Sequence, residues 1–277
     1  MADLDVSTLR TAALAVLATP DAEAKAICAA SVSGKEPVGT AAQARAARAA
    51  LPQHLTLPAR PERPVMVPHT AIRTKPIHTG SGRAALIHAL AHIELNAIDL
   101  AADAIWRFDD MPDAYYRDWT QVMREEALHF GLLSDHLGMI GRKYGDLPAH
   151  NSLWEMAERT QHDVLARMAL VPRTLEARGL DASPLVRQKL LKVGDTAGAD
   201  IIDIILRDEI GHVAVGNRWF SWLCTQRGLE PVATYAALAQ QHRAPRLKGP
   251  FNLDARRAAG FAENELAALT AATTPQA

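Results

Sequence analysis

The sequence predicts an all-α protein built on a four-helix bundle, with extra helices before and after the bundle and a proline-rich arm. Three observations carry this. Four long stretches between residues 81 and 228 repeat apolar residues at the 3.6-residue period of a helix. None of them alternates apolar and polar residues as a half-buried strand would. Breakers such as FDDMPD and YGDLP punctuate them.

In chain order, residues 4 to about 50 are alanine-rich and read as two or three modest helices, interrupted near TPDAEA and SVSGKEPVG. Leu51 to Gly82 holds six prolines and no periodicity, which reads as an extended arm or linker outside the core. Helix A is expected from about Ser81 to Arg107 and helix B from about Asp113 to Lys143. Helix C is expected from Ser152 to the ARGLDASP stretch, with Gly179 as its C-cap, and helix D from behind Ser183 and Pro184 to about Arg227. A short helix, the basic loop HRAPRLKGPFN and a last helix around Asp254 to Thr270 follow. The implied organisation is 1–80, N-terminal helices and arm; 81–228, bundle; and 229–277, a helical extension on the bundle.

Composition narrows the function classes. A net charge of -1 argues against a general polyanion binder. Cys28 and Cys224 fit neither a disulfide framework nor a thiolate metal site, so a reducing, cytoplasmic setting is expected. The acidic start MADLDVSTLR is unlike a signal peptide, and no run of about 18 apolar residues is evident, so no membrane partner is expected.

The chemistry lies in the inward faces. Positions at offsets of 4, 7 and 11 share a helix face because each residue turns the chain about 100°. Glu94 therefore sits with Ile87, Leu90, Ile98 and Ile105; Glu126 with Trp119, Val122, Phe130 and Leu133; Glu209 with Ile202, Ile205, Val213 and Phe220. A lone carboxylate in such a place would cost several kcal/mol or stay protonated, so it needs a cation, a hydrogen-bond network or a metal.

Glu-x-x-His occurs as Glu126/His129 and as Glu209/His212, and at offset 3 both side chains reach one ion from the same side. Glu94 precedes the first pair by 32 residues, and Glu176 in LEARGLD precedes the second by 33. One Glu from each of two helices and a Glu-x-x-His from each of the others is the di-metal carboxylate pattern of ferritin-like bundles. The matched spacing suggests two similar helix pairs related by a pseudo-twofold axis. Glu155 and Glu158, also in helix C, are accounted for by the helix dipole.

The segments RAALIHALAHIELNAIDLAADAIWRF, MREEALHFGLL, RMALVPRTLEARGLD, LRDEIGHVAVG and RAPRLKGPFNLDARRAAGF together resemble a bacterial family of ferritin-like proteins known as a domain of unknown function. The likeness runs from the arm to the last helix. It implies the fold and a metal site at Glu94, Glu126, His129, Glu176, Glu209 and His212. At fold level the family is similar to di-iron oxygenases, including the tRNA-hypermodification hydroxylase.

On this reading Asp208 and Glu125 orient His129 and His212 from behind. Two iron ions are the expected cofactor, with Mn/Fe or two Mn as alternatives. The expected activity is O2-dependent oxidation or hydroxylation of an unidentified substrate. No flavin or nicotinamide fingerprint is present, so electrons would come from an external donor. Nucleic acid, as tRNA, enters by analogy alone, and a homodimer is compatible. Ferroxidase or metal-handling chemistry and a scaffold with a structural metal are the alternatives.

Of the other polar residues, His92 lies about 200° from Glu94 and should face away from the site. His136, His150 and His162 read as helix-end or surface residues, and Tyr115 and Tyr116 as packing residues. Arg243, Arg246 and Lys248 could touch a phosphate-bearing substrate, or form a solvated loop.

Overall fold

The computed structural model describes residues 6–73 and 75–271. The start of the N-terminal segment, one position of the arm (Thr74) and the end of the C-terminal extension (272–277) lie outside the described residues. Every regular element among the described residues is helical, apart from an isolated bridge between Met66 and Ala149. The chain forms two compact units, Met1–Ser152 and Leu153–Ala277.

The first unit contains α1 (Leu9–Ala18), α2 (Ala22–Ser31), α3 (Ala41–Ala50), α4 (Gly80–Arg107) and α5 (Asp113–Met139). Side-chain caps set several starts: Thr8 and Thr40 close capping boxes, and Asp21 and Thr79 each accept a backbone N–H of the first turn. α4 and α5 pack along their length, joined by the link 108–112, with α1 against α4 and α2 against α5. Trp119, Phe130, Leu133 and Leu137 on α5 are buried, each contributing about 1.5–3 kcal/mol.

The proline-rich segment is not the free-standing arm expected. Leu51 joins Leu14 and Ala18 in a buried cluster, with Leu55 and Leu57 against it. The backbone of Ala59 is tied from both sides, its N–H to the Leu17 carbonyl and its carbonyl to the Lys25 ammonium. Periodicity could not reveal this, because the segment packs through single apolar side chains and long-range backbone bonds.

The second unit contains α6 (Ser152–Arg159), α7 (Val164–Leu170), a π-helical turn (Val171–Glu176), α8 (Ala177–Lys192), α9 (Thr196–Arg227), α10 (Pro231–Gln241), α11 (Leu253–Ala258) and α12 (Glu263–Ala271). α8 and α9 are its packed long pair.

Four expected boundaries are corrected. Helix B stops at Met139, before Gly141 at φ 72, rather than at Lys143. Helix C is interrupted after Arg159 and then runs past Gly179 and Pro184 to Lys192. Gly179 has open space around its missing Cβ and does not cap. Pro184 removes the N–H that would bond the Leu180 carbonyl, and the Asn252 side chain donates to that carbonyl at 3.2 Å instead. The true turn is Val193–Gly194–Asp195: Gly194 takes φ 76, and Asp195 caps α9 by accepting the Gly198 N–H. The last helix is split at Gly260, φ 89, into α11 and α12.

α4 has the length and hydropathy of a membrane span, which the run-based reading overlooked, but most of that stretch is buried inside the protein. Its buried Glu94, Asp99 and Asp103 suit a polar core contact and not a lipid face.

Candidate metal centre

α4 carries Glu94 inward and α5 carries Glu126 and His129 one helical turn apart on the same face. All three are buried. His129 Nδ1 lies 3.4 Å from Glu94 Oε2 and 3.4 Å from Glu126 Oε2. The nearest donor atoms of the three residues fall within 4.8 Å of one another. Ligands about 2.1 Å from one ion and roughly at right angles stand about 3 Å apart, so this set can hold a divalent cation with small adjustments.

The electrostatics agree. Burial, followed by the Glu126 charge beside it, raises the Glu94 carboxyl well above its ordinary range. Burial opposes a charge on His129, but the Glu126 and Glu94 carboxylates outweigh it and push the imidazole up to about 11. Without an ion the trio therefore retains protons that a cation would displace.

The second unit presents a matching pair on α9. Glu209 and His212 are buried, with His212 Nδ1 3.6 Å from Glu209 Oε1. Glu176 is half-buried and ends the π-helical turn. That turn is locked by a close approach: a Cβ on Gly216 would lie 2.5 Å from Pro172 Cβ and 2.6 Å from its Cγ. π turns inside α-helices recur at functional sites. Of the flanking acids, Asp208 receives two hydrogen bonds from the Arg207 guanidinium and Glu125 receives one from the Gln121 amide. Tyr115 and Tyr116 are buried and donate to the carbonyls of Ala104 and Phe108, in keeping with a packing role.

The family model described as protein of unknown function (DUF455) matches residues 18–267. The chain belongs to the DUF455 family. A Haemophilus influenzae relative of this DUF455 chain, described as an uncharacterized protein, is 47% identical over 213 residues, 74% of each chain. No solved structure matches.

In this DUF455 chain a second polar stripe on α4, missed by the sequence reading, is also buried: His88, His92, Asn96, Asp99 and Asp103. His92 Nε2–H donates to the His150 carbonyl at 3.0 Å and Nδ1 accepts the Tyr144 hydroxyl at 2.7 Å. His88 Nε2 accepts the Gly145 N–H at 3.0 Å. Asp99 is paired with Lys25 of α2, both fully buried, and Arg107 clasps Asp103 through hydrogen bonds of 2.7–2.9 Å. Burial lowers Lys25 and raises Asp99, each shift opposed by its partner's charge. His136, expected at a helix end or on a polar face, lies in the last turn of α5 and is buried as well. The signal was present in the sequence as polar residues at offsets of 4, 8, 11 and 15 from His88.

Proposed function

We propose that the chain is a non-haem di-metal protein of ferritin-like architecture. In this reading Glu94, Glu126 and His129 join Glu176, Glu209 and His212 around one pair of ions. Two irons are preferred, with Mn/Fe or two Mn as alternatives. The observation that carries the reading is the buried Glu94–Glu126–His129 trio, two carboxylates converging on one imidazole nitrogen. The Glu209–His212 pair repeats the same offset and the same nitrogen in the other long helix pair.

When bound, a redox pair of this kind supplies O2 activation, which makes O2-dependent oxidation or hydroxylation the favoured activity. The chain's own part is to hold the carboxylates and imidazoles in a dry, pre-shaped pocket, with Asp208 and Glu125 supporting the histidines. Electrons would come from a separate donor. The free thiols Cys28 and Cys224 support a reducing, cytoplasmic setting.

Metal analysis of protein purified after growth in iron and manganese tests the centre. Two transition-metal ions per chain are expected, falling below one in Glu126→Ala and in Glu209→Ala. Wild-type protein with less than one ion per chain would sink the proposal. Oxygen uptake by the ferrous protein then sorts the chemistry. Uptake limited to the site's own electrons supports an oxidase or hydroxylase, sustained turnover of excess ferrous ion supports a ferroxidase, and no uptake leaves a structural metal.

A further inference from the structure

A cavity of about 1160 Å³ opens in the second unit, between α10, the loop after it and α12. One wall is formed by Val232, Ala236 and Ala239, the other by Ala268 and Leu269. Its floor is aromatic and cationic. The Arg173 guanidinium lies 5.4 Å from the Tyr235 ring centre and 5.1 Å from that of Phe261, and its charge is matched by Glu265. Arg256, also at the floor, is matched by Asp181. Each buried arginine is therefore already paired with a carboxylate of the protein.

The rim differs. Arg246 and Lys248 line the cavity, are exposed, and have no carboxylate partner among the described residues. The loop HRAPRLKGPFN that carries them contains no acidic residue. The result is an apolar trough with uncompensated positive charge at one edge, slightly larger than the usual small-ligand site of about 300–1,000 Å³. A neutral apolar ligand would leave those cations unused, and a small inorganic anion would leave the trough wet.

We propose that this cavity binds an anionic amphiphile, a single alkyl or acyl chain bearing a carboxylate or phosphate head. The chain lies along the alanine and leucine walls and the head meets Arg246 and Lys248. The proposal is independent of the metal centre, whose residues it does not use.

Calorimetric titration of the full-length, metal-loaded protein with decanoate, decyl phosphate and decanol tests it. Saturable binding of at least one anion, at least tenfold tighter than decanol, is expected, and the tighter anion identifies the head as carboxylate or phosphate. The surface variant Arg246→Glu/Lys248→Glu should weaken that anion at least tenfold while metal content stays unchanged. Ala236→Trp, which fills the trough from an exposed position, should weaken it by a similar factor. Absence of saturable binding by both anions, decanol binding as well as the anions do, or affinities unchanged in both variants would overturn the assignment.

Discussion

His92 shows how burial changes the meaning of a residue that a helical wheel turns away from a site. It is 5% exposed and wedged between Tyr144, Asn96 and the His150 carbonyl. Burial pulls its pKa down to about 4. Between about pH 6.5 and pH 4 the unfolded chain takes up a proton that the folded chain refuses, so this contribution is complete above pH 6.5 and is lost as pH falls towards 4. It amounts to about 3 kcal/mol. The fall in urea midpoint from pH 7 to pH 4.5 should therefore be smaller in His92→Gln than in the wild type, and equal falls would refute this account. The wheel gave the direction of His92 correctly. It could not tell that Tyr144 and His150, together with Lys25 of α2 and the proline-rich segment, would cover that face, since covering depends on residues far away in the chain.

At the element scale, the end of α4, the start of α5 and the end of α9 are legible because their punctuation is local: FDDMPD breaks the helical pattern, and Gly228 takes the left-handed conformation at φ 63. The C helix was misjudged because its decisive contacts are not local. Asn252 rescues the helix at Pro184, and Gly216 makes room for Pro172 in the π turn. Gly216→Ala should lose about 1–3 kcal/mol of stability, because the new methyl meets a rigid proline ring, even though alanine is the better helix former. Gly211→Ala, an exposed position on the same helix with nothing within 4 Å of the added Cβ, should gain up to about 1 kcal/mol. Thermal melts of the two variants side by side separate crowding from propensity.

At the scale of the whole molecule, the proposed centre links metal to stability. The Glu94–Glu126–His129 trio is buried, and without a cation its carboxylates stand against one another. Chelation should lower the melting temperature, and ferrous or manganous ion should restore it. A hundredfold excess of ion over its Kd corresponds to about 2.7 kcal/mol. Glu126→Ala should lose this response; an unchanged response in that variant would place the stabilising ion elsewhere. The trio is legible in the amino-acid order because Glu-x-x-His fixes two side chains on one helix face whatever surrounds them, and Glu94 lies on the apolar face of the neighbouring helix.

The sequence by itself determined the helical class, the long helices, and the pairing of each glutamate with the histidine one turn on, since all of these follow from the 3.6-residue period and local caps. Tertiary structure alone decided that the polar stripe of α4 from His88 to Asp103 is buried along with the Glu94 face, that Lys25 reaches Asp99, and that a loop without acids rims an apolar cavity. These depend on which distant segment covers each face, and periodicity carries no record of that.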